Sequence, residues 1–441
     1  MRKLKLTTWI VIGMVLGIVV GHLCHQSLAT ESVKSVSGYF SLVADLFLRL
    51  IKMIVAPLVL TTLVVGVAKM GDARAVGRIG LRTLVWFMCA TFVSLLLGAL
   101  VANWTQPGVG LNLPLPEAAA ATGIKAGAIN IREFVTHLIP KSIVQAMAEN
   151  EILQIVIFSG FFSIAVIAMG EKAERIVSLL EEISSVMFKV TGYVMALAPI
   201  AVFAAMANVV AVQGLSVLLV YGRFMSIFAG TLLLLWAVII VAGYVFLGGR
   251  VFPLVKTIRL PMLLAFSTAS SESAYPKLLE QLERFGVPKR VSSFVLPLGY
   301  SFNLDGSMIY CTFATLFIAQ AYGIHLSVVQ QASMMAILMF TSKGMAAVPK
   351  ASLVVIAATL GQFNIPEAGL LLIMGVDTFL DMGRTATNIL GNSIASSVVA
   401  KWEGQLGTEM SEEEYAALEE GRLGAMASHS GSGRNAVVAT N

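Results

Sequence analysis

Charge is scarce in this chain. Of 441 residues only 12% are Asp, Glu, Lys or Arg, whereas 57% are hydrophobic and the mean hydropathy is +0.84. That balance excludes a soluble globular domain and a disordered chain, and it indicates an integral membrane protein. Cysteine is scarcer still. Cys24, Cys89 and Cys311 are odd in number, scattered and set in or beside apolar runs, so they read as small hydrophobes and not as a disulfide framework. No HExxH, Walker A, Gly-x-Ser-x-Gly or CxxC pattern occurs, so the common hydrolase, ATPase and redox chemistries lack their groups and no cofactor is expected. A nucleophilic Ser270 or Ser271 would lack a histidine positioned to activate it. The formal charge of +5 forms no basic stripe with interleaved aromatics, which argues against a nucleic-acid partner and suits basic loops at membrane-span ends.

What is present is a succession of apolar runs near the roughly 20 residues that cross hydrocarbon. The first, TTWIVIGMVLGIVVGHL after MRKLK, resembles a signal peptide ending at Ser27-Leu28-Ala29. It exceeds a usual signal core, however, and carries Gly13, Gly17 and Gly21 as a close-packing face, so a retained span is expected. His22, Cys24 and His25 at its end lack a further metal ligand and read as a polar span end. Further spans are predicted over 40–70, 81–102, 217–248 and 290–322, with apolar runs at 151–170 and 177–212 and a Pro-, Ala- and Gly-rich outer excursion over 103–150. Arg74, Arg78 and Arg82 in one loop, together with the basic N-terminus, predict an N-in orientation.

Two segments break the pattern. Val251–Phe266 is too short to cross comfortably, ends in the polar STASSES and returns through LLEQLERFGVPKR, the form of a re-entrant hairpin. The same order recurs at Val328–Phe340, TSKGMAAVPKAS and LVVIAATLGQF, with Pro349 at the second tip. Each is followed by a long span carrying polar residues at its centre. In the first such span, SFNLDGS brings together Asn303, Asp305, Gly306 and Ser307 and predicts a local unwinding. Interrupted segments in matching places of two halves imply an internal repeat and point to a transporter binding site.

The second long span, Gly375 to Lys401, organises the rest. Asp377, Asp381, Arg384, Thr385, Asn388 and Asn392 fall within about 100° of one another at 3.6 residues per turn. Val376, Phe379, Ala386, Leu390 and Ile394 occupy the other side, which suits lipid or apolar neighbours. Ionised groups at membrane depth cost about 2.5–3.5 kcal/mol each on insertion scales, so they face a protein interior or a watery cavity. One buried polar residue could be interhelical glue; six, with both signs of charge, form a binding surface. Asp377, Asp381, Asp305 and Glu272 outnumber Arg384, a surplus that calls for bound cations or protons. Lys343 and Lys350 could reduce it from the second hairpin. The Arg384 fork matches a carboxylate and Asp381, one turn away, can receive an ammonium, so the pair fits an acidic amino acid.

SSES at 270–273, SFNLDGS at 301–307 and DMGRTATNILGN at 381–392 with the following VVAKWEGQ together resemble the dicarboxylate/amino acid:cation symporter family, which includes the glutamate transporters. The resemblance extends over most of residues 7–405. It implies an all-α integral membrane fold of eight transmembrane helices plus two re-entrant helical hairpins, with inverted repeats and an elevator mechanism in a homotrimer. It also implies a bacterial cytoplasmic (inner) membrane protein with both termini cytoplasmic. Expected divisions are scaffold helices in 1–75 and 151–215, a third helix of the transport domain in 76–104, an extracellular excursion and the start of scaffold helix 4 in 105–150, the rest of the transport domain in 216–409, and a disordered tail over 410–441.

By matching position, Arg384 is expected to hold the substrate's side-chain carboxylate and Asp381 its amino group. Asn388, Thr385, Ser307 and Ser271 are expected to hold the remaining polar atoms, with Val348 and Ala351 at the second-hairpin gate. The Asp-Met-Gly-Arg-Thr run, absent from dicarboxylate carriers of the family, favours glutamate or aspartate over succinate or malate. Sodium-driven relatives have an aspartate where Asn392 stands and hydroxyls where Phe87 and Ala90 stand. Thr91, Asn303, Asp305 and Asn388 remain, and a residual sodium site is expected at Asn303, Asp305 and Asn388. Asp377 and Asn392 join these as coupling candidates. Glu272 supplies a titratable carboxylate and resembles the proton-coupled bacterial branch, so the coupling ion is expected to be H+, with Na+ as the alternative. Lys350 replaces a glycine usual in the second tip. A channel or receptor for acidic amino acids is the reading from another class.

Overall fold

The computed structural model describes residues 6–68, 73–109, 136, 139–215, 221–342, 351–374, 376–411, 413–415 and 417–418, which are predominantly helical and include no strand. The first half holds α1 (Leu6–Ser27), α2 (Thr30–Ala68), α3 (Ala73–Thr105), the short α4 (Ile143–Ala148), α5 (Ile152–Met169), α6 (Glu174–Met195), α7 (Ala198–Gln213) and α8 (Gly222–Leu247). Among the described residues, six helical stretches are long and apolar enough to cross a membrane: Thr8–Ser27, Glu31–Ala68, Gly77–Thr105, Ile152–Met195, Gly222–Thr257 and Lys289–Ala321.

The small-residue face of α1 meets α7 along its whole length. A Cβ at Gly13, Gly17 or Gly21 would run into the main-chain oxygens of Pro199, Phe203 and Ala207, so the two backbones touch. The helix bearing those oxygens corrects the sequence reading, because the 177–212 run is two helices. Pro199 in the first turn of α7 has no N–H to donate to the Met195 carbonyl four residues back, and its ring crowds that carbonyl, so the helix is interrupted at Ala196 and Leu197. α3 begins at Ala73, within the basic loop.

In the second half, α9 (Val251–Thr257) and α10 (Arg259–Thr268) form the descending arm of the first hairpin and α11 (Ser271–Phe285) its return. At the tip Ala269 is left-handed, at φ 47°, and Ser270 is extended. The Ser270 hydroxyl caps α11 by accepting from the Ser273 N–H at 3.4 Å, and Thr268 and Ser273 hydroxyls pair at 2.7 Å. α12 (Lys289–Phe302) and α13 (Asp305–Ala321) are the two halves of one long span, interrupted at Asn303 and Leu304 where SFNLDGS predicts unwinding. α14 (Val328–Thr341) and α15 (Ala351–Gln362) are the arms of the second hairpin; its tip, with Lys343, Val348 and Lys350, lies outside the described residues. α16 (Leu371–Met374) and α17 (Asp377–Trp402) form the second interrupted span.

α17 is the axis of this half, packed by α3, α8, α10, α11, α12 and α13. Of its 26 residues 20 are buried, which decides between the two environments its apolar face admits. Val376, Ala386, Leu390 and Ile394 meet protein, not lipid. Its end is clamped to α3: the Arg78 side chain donates to Glu403 at 2.6–3.1 Å, and Arg82 donates to Glu403 at 2.7 Å and to the Trp402 carbonyl at 2.5 Å.

Candidate functional site

The polar stripe of α17 faces the break in the α12–α13 span. Arg384 is 1% exposed, and its Nη2 contacts Asp377 at 3.1 Å and Asp381 at 2.9 Å. The three residues lie one and two turns apart on one helix face, so ordinary helical geometry brings them together. The guanidinium also lies 4.0 Å from the centroid of the Tyr310 ring, one turn beyond Ser307 on α13. Asp377 is sealed at 2% exposure, whereas Asp381 keeps 28% of its side chain accessible. Arg384 Nε and Nη1 are buried without a hydrogen-bond partner among the described residues. Buried donors left unpaired are costly, so the guanidinium keeps donors for an anionic acceptor besides its two aspartates.

One turn on, Asn388 Oδ1 accepts from the Gly306 N–H at 2.9 Å, satisfying backbone that the helix break leaves free. Gly306 sits against the backbone of Arg384, and a Cβ there would overlap Arg384 O and Cα. Asn303 Nδ2 donates to Asp305 Oδ2 at 3.1 Å and to Asn392 Oδ1 at 3.0 Å, and the Ser94 hydroxyl donates to Asp305 Oδ1 at 3.4 Å. Thr91, one turn before Ser94 on α3, donates to the Phe302 carbonyl at 3.4 Å. Asn303 Oδ1 and Asn392 Nδ2 are buried without a partner among the described residues. The break therefore gathers carboxylate, amide and hydroxyl groups in one dry cluster about α17. Among the described residues, no three of His, Cys, Asp and Glu gather as a metal site.

Ser307, Thr385 and Asn388 are buried at 7%, 5% and 4% exposure on the two facing elements. Ser271 opens α11, which packs on α17. Glu272 beside it is 9% exposed, so it is not a solvent-facing tip residue. The ammonium of Lys52, on α2, acts electrostatically on its carboxylate. The described part of Ala351 is its place as the first residue of α15.

Three participants escape the sequence reading. Ser94 returns a hydroxyl to the face on which Phe87 and Ala90 lack one, and the spacing 87, 91, 94 could have revealed it. Tyr310 lies at i+3 from Ser307, but an aromatic in an apolar span gives no polar signal. Lys52 sits on another element, and only tertiary packing brings it to Glu272.

Residues 6–402 match the sodium:dicarboxylate symporter family. The chain belongs to that family. It is accordingly a multi-pass membrane protein of a transporter family, in keeping with the six membrane-length apolar stretches among the described residues. Relatives within the family differ in what they are named for. The chain is 39% identical to a proton/sodium-glutamate symport protein of Bacillus caldotenax over 428 residues, covering 95% of this chain and 100% of the relative. It is 41% identical to the proton/glutamate-aspartate symporter of Escherichia coli (strain K12) over 413 residues, 91% of this chain and 93% of that one. It is 39% identical to a C4-dicarboxylate transport protein of Laribacter hongkongensis over 405 residues, 91% and 90% respectively.

Proposed function

We propose that this member of the family is a secondary active symporter that imports glutamate or aspartate with protons. Overall identity does not separate amino-acid from C4-dicarboxylate carriers, since both stand near 40%. The observation that carries the reading is the Asp381–Arg384 pair, which offers a substrate both signs of charge at one helical turn's spacing. Arg384 receives the side-chain carboxylate on a donor that its aspartates leave unpaired, while Asp381, the more accessible acid, receives the ammonium. Asp377 holds the guanidinium in place from its sealed side. Asn388 Nδ2, Thr385, Ser307 and Ser271 supply the remaining polar contacts, and Val348 and Ala351 belong to the gate. A C4-dicarboxylate would leave Asp381 facing a substrate without a cation.

For the coupling ion, Glu272 carries the proton at the first hairpin. Sodium is the alternative, because Asn303, Asp305, Asn388 and Asn392 with Thr91 retain an oxygen-rich cluster at the helix break. Movement follows an elevator scheme in a trimer, with α1, α2 and α5–α7 as scaffold and α3 with α8–α17 as the moving body. The extensive packing of α17 by α3 and the second half, and of α1 by α7, is compatible with that division. Basic residues at 74, 78, 82, 250, 256 and 259 share one end with the start of α1 and the end of α17, which supports cytoplasmic termini in a bacterial inner membrane.

The test is uptake into liposomes containing the purified protein. An inwardly directed proton gradient alone should drive glutamate above its equilibrium distribution, and Glu272→Gln should lose that drive while still exchanging substrate. Uptake driven by sodium alone, with Glu272→Gln fully active, would refute the proton assignment. Downhill flux only would indicate a channel.

A further inference from the structure

A cavity of about 690 Å³ opens away from the substrate site, between the first hairpin, the start of α1 and the segment after α17. Its polar wall is built by Lys256 and Arg259 on the descending arm, Lys277 and Arg284 on α11, and Glu409 on the following segment. Lys277 is matched by Glu280 at 2.5 Å. Among the described residues, Lys256 and Arg259 make no ion pair, so the cavity is left net positive despite Glu409.

The far wall is a fixed strap. Gly407 N–H donates to Gly286 O at 2.8 Å, Met410 N–H to Arg284 O at 2.7 Å, and Arg250 Nη2 to Gly407 O at 2.6 Å. The cavity is therefore a built feature of the fold. Besides Thr257 and Gln281 the remaining lining is apolar: Leu6 opens α1, Phe252 follows the end of α8 and is 61% exposed, and Leu260 lies in the first turn of α10. Cationic side chains beside exposed apolar ones at the membrane boundary suit a ligand with a charged head and an oily body. Guanidinium forks match phosphate oxygens, and basic pockets between helices at this depth are of the kind that hold anionic head groups.

We propose that this cavity binds a phosphate-bearing anion, presented to it by an anionic phospholipid. Bound there, the lipid bridges the first hairpin and the start of α1 and ties the base of the hairpin to the membrane surface.

Native mass spectrometry of the full-length protein, titrated with phosphatidylglycerol or phosphatidylcholine, tests the proposal. The variant is Lys256→Gln/Arg259→Gln, with Lys34→Gln as a remote control. Phosphatidylglycerol should bind in preference to phosphatidylcholine, with affinity falling at least tenfold in the double variant and unchanged in Lys34→Gln. Glutamate binding should persist in the double variant, which shows that it is folded. Inorganic phosphate at millimolar concentration should not displace the lipid. Equal lipid retention by wild type and double variant would overturn the site. Displacement by inorganic phosphate, with loss of phosphate binding in the double variant, would overturn lipid presentation in favour of a soluble anion. Displacement of the lipid by glutamate would overturn the assignment altogether and make the cavity part of the substrate route.

Discussion

Arg384 stands between two carboxylates in a nearly dry setting, and this sets what its removal does. In Arg384→Gln, Asp377 at 2% exposure loses its cation. Removing one partner of a buried pair costs about 3–5 kcal/mol, because the charge left behind is uncompensated. The single variant should therefore unfold at markedly lower temperature, and weak glutamate binding by it would prove little. Adding Asp377→Asn removes the stranded charge and should recover most of the loss, while the fork that receives the substrate is still absent. A hydrogen bond to a charged group contributes about 1.5–3 kcal/mol, so the double variant should bind glutamate roughly 10- to 150-fold more weakly. Isothermal titration gives the affinity and thermal unfolding of the same samples gives the stability. If the double variant is as stable as wild type and binds glutamate with unchanged Kd, Arg384 does not hold the substrate, and the reading of the α17 stripe fails.

Further outcomes follow from the same geometry. Asp381→Asn should weaken glutamate at least tenfold yet change glutarate little, because glutarate has no ammonium; competition binding of the two distinguishes this from general damage. Gly17→Ala places a methyl against the Phe203 carbonyl, and overpacking of this kind costs about 1–3 kcal/mol, measurable as a lower Tm with substrate Kd unchanged. Gly306→Ala presses on the Arg384 backbone and should reduce stability and glutamate affinity together. Glu403→Gln loosens the clamp to Arg78 and Arg82. Its carboxylate is 1% exposed although the arginines are 50% and 36% exposed, so the loss should be larger in low salt than in high salt when unfolding is followed at both.

How far the sequence could be read depended on the distance over which each constraint acts. The Asp377–Asp381–Arg384 cluster was legible because its members share one helix face, and local geometry alone brings them together. The break at Asn303 and the first hairpin were legible because Gly306 and the polar tip interrupt apolar runs that would otherwise continue. The division of 177–212 depended on Pro199, at a point where the apolar run Val194–Phe203 shows no polar residue, and it was missed. Phe379, Ala386 and Leu390 illustrate a different blindness: apolar side chains suit lipid and protein alike, so hydropathy cannot tell an outer helix from a central one. Lys52 beside Glu272 and Ser94 beside Asp305 depend on how separate helices pack, and no pattern within either segment encodes that.

The housing of α17 bears on how the molecule is made. A segment with two aspartates, an arginine and two asparagines along one side is a poor candidate to enter a bilayer unaided, yet every helix that shields it precedes it in the chain. By the time a ribosome delivers this segment, its shelter has already been translated. Insertion of the last span then becomes a docking event between protein surfaces, and a lesion in α8, α10 or α13 should surface first as failure to seat the C-terminal segment.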